Sequence, residues 1–177
     1  MRRVAAGVPE AQEELAERLV MRVRRGAHAL MRGSADADDS AQLALVEILR
    51  SAHDYSGKYT VERWADRIVG RSVIRFSRAV RRRAGAFSTI SVDDESTLER
   101  SDRPPRNLDE CLGRLSVAAR EALLLRHAFG QSVEEIAELT QVSPDTVRDR
   151  LLLARKEFRR MVLARPRDAA HGKGDVS

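Results

Sequence analysis

The sequence predicts an all-α protein made of two small helical domains joined by a flexible linker. Aromatic residues make up only 4% of the chain, whereas alanine, leucine, valine, arginine and glutamate dominate it. This mixture favours helices over strands, because straight-chain side chains lose little rotamer freedom in a helix. With 177 residues and a hydrophobic content of 42%, the chain can bury two small cores.

The first domain is predicted to span residues 10–83. From Glu10 to Leu49, apolar residues recur at helical spacing, which predicts two successive helices. The pattern breaks at residues 33–36. We expect Ser34 or Asp36 to cap the helix that follows this break.

A polar loop and a long arginine-rich helix complete the first domain. The loop has the sequence HDYSGKYT, residues 53–60, and the helix is predicted from about Val61 to Arg83. Eight arginines fall in this helix against two acidic residues. Four of them are spaced four residues apart: Arg63, Arg67, Arg71 and Arg75. Because one side of the helix is apolar and another cationic, the pattern favours phosphate binding; a merely solvated charged face is the alternative.

Residues 84–107 are predicted to be the linker. They contain the acidic stretch VDDES and two consecutive prolines, and they have little apolar periodicity. A second helical domain is predicted at residues 108–163. The tail, residues 164–177, carries proline and glycine without an apolar pattern, and we expect it to be disordered.

The second domain contains two helix-start signals at helix-turn-helix spacing. Ser132 and Glu135 form the sequence pattern of a capping box, and Ser143 followed by Pro144 is a second N-terminal signal. Only a short turn fits between the two helices, an arrangement typical of a helix that enters a DNA groove. A purely structural helical hairpin is the alternative.

Several classes of protein are disfavoured by the composition. Cys111 is the only cysteine, so we expect no intrachain disulfide and interpret it as a core thiol. We find no nucleophile and base pair and expect neither an enzyme nor a cofactor. An acidic metal site built from Asp36, Asp38 and Asp39 is a weaker interpretation than stabilisation of a helix start. Without a signal sequence or a long apolar run, we predict a cytoplasmic protein with no membrane insertion.

The second domain resembles region 4 of bacterial sigma factors of the sigma-70 class. The resemblance covers residues 115–162, LSVAAREALLLRHAFGQSVEEIAELTQVSPDTVRDRLLLARKEFRRMV. It implies that the helix beginning at Pro144 reads the −35 promoter element. The residues implied on or beside its DNA-facing side are Thr146, Arg148, Asp149, Leu152 and Leu153.

This sequence departs from the family pattern at the turn and on the reading helix. Gln141 stands where the family usually has glycine in the turn. Asp149 and Leu152-Leu153 occupy positions that are often small, polar, aromatic or basic. The aspartate could accept a hydrogen bond from a cytosine amino group and a leucine could contact a thymine methyl group. In the alternative interpretation, Leu152 or Leu153 packs on the preceding helices and Asp149 stays solvated.

The first domain resembles region 2 of the same family, less closely. The resemblance covers residues 36–83, DADDSAQLALVEILRSAHDYSGKYTVERWADRIVGRSVIRFSRAVRRR. It implies a surface for core RNA polymerase that contains Asp36, Asp39 and Gln42. It also implies a binding site for the −10 element formed by Tyr55, Lys58, Tyr59, Arg67, Arg71 and Arg75. Two tyrosines beside a lysine suit base stacking and phosphate attraction, although tyrosines are also common in ordinary loops.

Together, the two resemblances imply an alternative sigma factor of the extracytoplasmic-function (ECF) kind. Such a protein binds core RNA polymerase and promoter DNA, and the resemblance also implies an anti-sigma factor as a partner. Two alternatives remain. The chain could be a helix-turn-helix regulator that never touches polymerase, or a sigma-like adaptor that lost promoter reading, which Asp149 and the two leucines favour.

Overall fold

A computed structural model describes residues 1–32, 34–83, 105 and 107–163. These residues form α-helices, one short 3₁₀ helix at Ser51–Asp54 and no strand, which confirms the all-α prediction. The predicted linker lies outside the described residues except for 105 and 107, and the predicted tail lies wholly outside them. The helices are α1 (Arg2–Ala5), α2 (Pro9–Met31), α3 (Ala37–Arg50), α4 (Val61–Arg83), α5 (Leu108–Gly113), α6 (Val117–His127), α7 (Val133–Thr140) and α8 (Pro144–Leu163).

The N-terminal half is a bundle of α2, α3 and α4, which pack against one another. Helix α2 begins with Pro9, whose fixed φ suits a first helical position, and ends at Arg32 in the left-handed conformation. Asp36 stands at the N-cap of α3, but neither its side chain nor that of another described residue caps the helix, so the predicted cap is wrong. The backbone carbonyl of Ser34 instead accepts from the amide of Ala37 at 3.0 Å.

Helix α4 has the predicted bounds and buries one side against α2 and α3. Its fully buried apolar side chains include Ile68, Val73 and Ile74. Asp66 is also buried, at 6% exposure, and accepts two hydrogen bonds from the Arg22 guanidinium at 2.6 and 2.7 Å. This bidentate ion pair joins α2 to α4 and compensates the burial of the carboxylate.

The C-terminal helices begin at polar caps. The side chain of Asn107 caps α5 and that of Ser116 caps α6. Ser132 and Glu135 form the complete capping box at the start of α7, as predicted. The hydroxyl of Ser143 accepts from the amide of Thr146 at the start of α8, which confirms the second signal.

The largest hydrophobic cluster contains buried residues from both halves of the chain, including Val69 of α4 and Leu125 of α6. Phe129, which follows α6, lies in a notch formed by Gly26 of α2 and Gly70 of α4. Because the two glycines lack a Cβ, the ring reaches the helix backbones. In this structure the two halves therefore share one apolar core.

A second, smaller cluster surrounds Cys111 in the C-terminal half. The thiol is buried with Leu115, Ala119, Ala154 and Met161. This packing confirms the interpretation of the cysteine as a core residue. Among the described residues, no helix is both long enough and apolar enough to cross a membrane.

Candidate nucleic-acid interface

Helices α7 and α8 cross closely around small and branched side chains. Ile136 and Ala137 of α7 and Val147 and Leu151 of α8 are all buried. Between the helices, Gln141 adopts a left-handed conformation with φ of 56°. A non-glycine residue in this conformation costs about 1 kcal/mol. The chain therefore makes the usual helix-turn-helix bend at a small conformational cost.

The outward side of α8 presents the residues that the sequence predicted to face DNA. Thr146 is half-buried, and its hydroxyl lies 2.9 Å from that of Ser143. The other four predicted residues are exposed: Arg148, Asp149, Leu152 and Leu153. The structure thus brings all five together at the N-terminal part of one helix.

The two leucines of this face are open to solvent. Leu152 is 68% exposed and Leu153 is 53% exposed, whereas Leu151 beside them is only 5% exposed. Neither Leu152 nor Leu153 packs on the preceding helices, so the alternative of core packing does not hold in this conformation. Adjacent exposed leucines on a helix are an apolar patch that a ligand can cover.

The charges on this face are unevenly compensated. Arg148 forms an ion pair with Asp145 at 2.5 Å, and Glu134 of α7 lies 3.8 Å from the same guanidinium. Asp149 has no hydrogen bond or ion pair with any residue that the structure describes. The face therefore offers one free acceptor beside two apolar side chains, and its arginine is already paired.

The loop before α4 holds one tyrosine in place and leaves the other exposed. The Tyr55 ring makes an edge-to-face contact with Trp64, with centroids 5.4 Å apart, and its hydroxyl donates to the Tyr59 carbonyl at 2.6 Å. Tyr59 is 48% exposed, and the ammonium of Lys58 stands 5.5 Å from its ring centroid. Tyr59 and Lys58 are thus the accessible members of this trio.

The arginines that the sequence assigned to DNA phosphates face different surroundings. Arg67 bonds to the carboxylate of Glu135 and to the carbonyl of Gly130, both in the C-terminal half. Arg75 is paired with Glu47 of α3 at 3.1 Å. Arg71 is half-buried, and its Nε has no hydrogen-bond partner within the described part of the chain. The arginine side of α4 therefore also serves as a docking surface for α7.

More arginines of α4 hold the C-terminal half through carbonyl oxygens at helix ends. Arg63 donates to Ala128 at 3.4 Å, just past α6, and Arg78 donates to Leu139 at 2.6 Å in the last turn of α7. Carbonyls at a helix C-terminus lack partners within the helix and carry partial negative charge, so a guanidinium suits them. Gln131, fully buried, donates in return to the carbonyl of Arg67 at 2.8 Å.

A cleft of about 540 Å³ lies between the arginine side of α4 and helix α7. Burial, followed by the charges of Arg82 and Arg81, lowers the pKa of Arg78 in this cleft. The lining thus concentrates positive charge next to the helix-turn-helix. Its residues are Arg71, Arg75, Arg78, Arg82, Glu135, Glu138, Leu139 and Gln141.

Helix α3 presents a mixed polar and apolar stripe to solvent. Asp39 and Gln42 are exposed, while Asp36 is half-buried. On the same side, Leu43 is 50% exposed and Val46 is 40% exposed. Residues at this spacing lie on one helix face, so two predicted polymerase contacts and two exposed apolar residues form a single surface.

Near the start of α3, Asp38 is engaged by basic side chains instead of taking part in a metal site. Asp38 accepts from His28 at 3.1 Å and from Arg24 at 3.0 Å, and these bonds lower the pKa of its carboxyl group. Within the described parts of the chain, no three histidine, cysteine or acidic side chains are placed to hold a metal ion.

The docking of the halves was not foreseen from the sequence, although one signal was available. Gly26 and Gly70 interrupt helices, and a glycine inside a helix costs about 1 kcal/mol relative to alanine, which indicates close packing by another part of the chain. Phe129 and Gln131 carry no comparable signal. Phe129 packs against glycines of distant helices and Gln131 donates to a backbone carbonyl of α4, and neither residue type marks such a contact in the sequence.

Comparison with known proteins identifies both halves. Residues 15–83 match Sigma-70 region 2, and residues 106–158 match Sigma-70, region 4. The ECF RNA polymerase sigma factor SigM of Mycobacterium tuberculosis, from strains H37Rv and Erdman, is 28% identical over 162 residues, covering 89% of this chain and 80% of SigM.

Two solved structures are also similar. The sigma factor RpoE of Bartonella quintana, crystallised with the anti-sigma factor NepR, matches with a TM-score of 0.54 at 18% identity, over 87% of this chain and 98% of that one. CnrH in complex with the cytosolic domain of CnrY matches with a TM-score of 0.49 at 21% identity, over 93% of this chain and 96% of that one. At this identity, the likeness to RpoE concerns the fold alone.

Proposed function

Because the chain belongs to the sigma-70 family, we propose that it is an alternative sigma factor of the ECF type. In this role it binds core RNA polymerase and directs transcription initiation at its own set of promoters. The observation that carries the proposal is the presence of both region 2 and region 4 on one chain. The protein makes and breaks no covalent bond in this role, and it works in the cytoplasm with the polymerase.

Helix α8 docks in the major groove at the −35 element. Its exposed N-terminal face contains Asp149, Leu152 and Leu153, and a groove-facing aspartate can accept from a cytosine amino group. The leucines can contact thymine methyl groups. Arg148, already paired with Asp145, contributes less positive charge than an unpaired arginine.

The loop before α4 and the arginine side of that helix bind the −10 strand. Tyr59 is exposed for stacking with a base, and Lys58 stands beside it for a phosphate. Arg71 adds positive charge along the helix, and Arg75 adds it when it leaves Glu47. Arg67 can reach DNA only after it leaves Glu135, so binding at this site competes with the docking of α7 on α4.

The outer stripe of α3 binds core polymerase. It combines exposed polar groups of Asp39 and Gln42 with the exposed side chains of Leu43 and Val46. Desolvation of the apolar pair supplies affinity, and the polar groups fix orientation. Asp36, which is half-buried at the start of the helix, lies at the border of this surface.

An anti-sigma factor is the expected inhibitory partner. The similar structure of RpoE was solved with the anti-sigma factor NepR, and by analogy we expect a protein that covers exposed surface of this chain. Leu152 and Leu153 are adjacent exposed leucines on the face of the proposed reading helix. They also favour the second candidate function, a sigma-like adaptor that binds protein through α8.

Transcription with purified bacterial core polymerase, this protein and fragmented genomic DNA tests the proposal when the RNA 5′ ends are mapped. We expect new starts that share upstream −35 and −10 elements and that disappear without the protein. Binding to core polymerase without new starts would favour the adaptor. Absence of both would leave a helix-turn-helix regulator that acts without polymerase.

A further inference from the structure

We propose that a cavity between the ends of α2, α4 and α6 is a binding site for a small phosphorylated ligand. The cavity has a volume of about 400 Å³ and lies away from the outward face of α8. Its walls come from Met31 and Arg32 at the end of α2, from Val80 and Arg81 near the end of α4, and from the start of α6. This site does not depend on the proposed promoter-binding function.

The strongest observation is a buried arginine without partners. Arg120 lines the cavity and is only 2% exposed, yet its Nε and Nη1 are buried and make no hydrogen bond with any residue that the structure describes. Buried polar groups are nearly always satisfied, and a guanidinium has no way to accept instead of donate. Two unsatisfied donors on a buried cation therefore indicate a missing acceptor.

The charges around Arg120 make an anion the matching acceptor. Arg32 and Arg81 line the same cavity, and burial, followed by repulsion from Arg32, lowers the pKa of Arg120 to about 10. Arg120 therefore stays charged at neutral pH. The charge of Glu121 offsets part of this effect on the pKa of Arg120, but the carboxylate is itself paired with Arg81 at 2.8 Å. Among the described residues of the lining, Asp36 is the one other carboxylate.

The N-terminus of α6 adds a second attraction for an anion. This helix has 11 residues and no acidic residue in its first turn. Ser116 caps the amide of Ala119, which leaves the amides of Val117 and Ala118 as donors beside the cavity. Arg120 follows in the same turn, where its positive charge is repelled by the positive end of the helix dipole. A bound anion would be attracted by both the helix N-terminus and the guanidinium.

The remaining lining indicates what the phosphate is attached to. Leu30, Met31, Val80 and Val117 give the cavity an apolar wall next to the guanidinium groups. Such a wall suits a phosphate ester with a nonpolar or ring-containing group, and the volume fits a small molecule. Arginine forks and helix N-terminal amides are typical partners of phosphate oxygens.

Arg32 supplies a test variant that leaves the backbone relaxed. It occupies the left-handed region with φ of 53°, so Arg32→Gly removes a cation from the cavity and replaces a strained residue by one that favours this conformation. Arg120→Gln removes the buried cation itself. Arg160→Gln is the matched control, because Arg160 is exposed on α8 and does not line the cavity.

Titration of the full chain with pyrophosphate, and separately with phenyl phosphate, tests the site by calorimetry at low ionic strength. We expect one site per chain, with affinity reduced at least about tenfold in Arg32→Gly and unchanged in Arg160→Gln. Amide resonances of Val117 and Ala118 should shift on binding. Equal affinities in the two variants, or no binding of either probe, would overturn the proposal. Arg120→Gln, if folded, should bind neither probe, and retained binding would also overturn it.

Discussion

Phe129 packs so closely on Gly70 that a methyl group added to the glycine would stand 2.9 Å from the Phe129 Cβ. The same ring lies 3.0 Å from the position of a Cβ on Gly26. A residue of the C-terminal half is therefore inserted between two helices of the N-terminal half. The contact places the helix-turn-helix beside the arginine side of α4, and the two surfaces that we propose for DNA are then coupled.

Gly70→Ala should separate the two halves. The added methyl group meets the Phe129 side chain and also lies 3.2 Å from Leu125 Cδ2, and overpacking of this kind costs about 1–3 kcal/mol. Small-angle X-ray scattering should give a larger radius of gyration for this variant. Gly113→Ala is the control, because no atom of a described residue lies within 4 Å of its added Cβ. Equal radii for the two variants would contradict close packing at Gly70.

Glu135→Gln should loosen α7 from α4 without removing the helix cap. A glutamine can still accept from the amide of Ser132, but it lacks the charge that holds Arg67. We expect a loss of about 0.5–1 kcal/mol in the free energy of unfolding, measured with urea at neutral pH. Glu13→Gln, at an exposed position of α2 that does not line the cleft between α4 and α7, should change little. A similar loss in both variants would argue against a specific role for the Glu135 charge.

The same glutamate should give the docking a pH dependence. Burial raises the pKa of Glu135, but the amide of Ser132 and the charge of Arg67 outweigh it, so that the pKa falls below the ordinary value of 4.5. A lowered carboxyl pKa stabilises the folded state above 4.5, and this contribution is lost as the pH falls through the lower folded-state value. The stability difference between wild type and Glu135→Gln should therefore shrink on acidification.

The Arg22–Asp66 ion pair should respond unequally to loss of either partner. The Asp66 side chain is 9% exposed and that of Arg22 is 48% exposed. Arg22→Ala leaves a buried carboxylate without its cation and should cost about 2–3 kcal/mol, whereas Asp66→Asn leaves an arginine that can turn to water and should cost about 1 kcal/mol. Urea unfolding measures both. A larger loss of stability in Asp66→Asn than in Arg22→Ala would mean that water reaches the Asp66 carboxylate once the arginine is removed.

The sequence predicted local structure well because local signals determine it. The bounds of α4, the capping box of Ser132 and the helix start at Ser143 all follow from interactions within a few residues. The side-chain cap expected at the start of α3 is wrong, because the backbone carbonyl of Ser34 accepts from the amide of Ala37 instead. Helix α1 was missed because four residues carry too little periodicity.

The use of the arginine side of α4 could not be predicted from charge alone. The spacing indicates that Arg67 and Arg78 lie on a cationic face, but their acceptors are Gly130 and Leu139 carbonyls more than sixty residues away. Every residue has a carbonyl, so no residue type marks these partners. The sequence therefore predicted a phosphate-binding surface, and the structure adds a contact between the halves of the chain at the same place.

Replacing Arg71 and Arg75 together by alanine should weaken promoter binding and flatten its salt dependence. Each phosphate contact that is lost removes roughly one unit from the slope of log K against log salt, so the pair should remove about one to two units. Fluorescence anisotropy with labelled promoter DNA at several salt concentrations measures the slope. Arg2 and Arg3, exposed on α1, provide a control pair with the same change in charge. An unchanged slope in the α4 variant would remove these arginines from the site.

Asp149→Ala should relax the preference for one base pair of the −35 element. The carboxylate is exposed and has no partner among the described residues, so in the groove it is free to accept from a cytosine amino group. We expect discrimination at that position to fall by about 1–3 kcal/mol, measured by competition among −35 sequences that differ at single positions. Glu157→Ala, farther along α8 and half-buried, removes the same charge and should leave the preference unchanged. If Asp149→Ala instead tightens binding to all sequences equally, the aspartate only repels phosphate, and Leu152 and Leu153 become the candidates for base recognition.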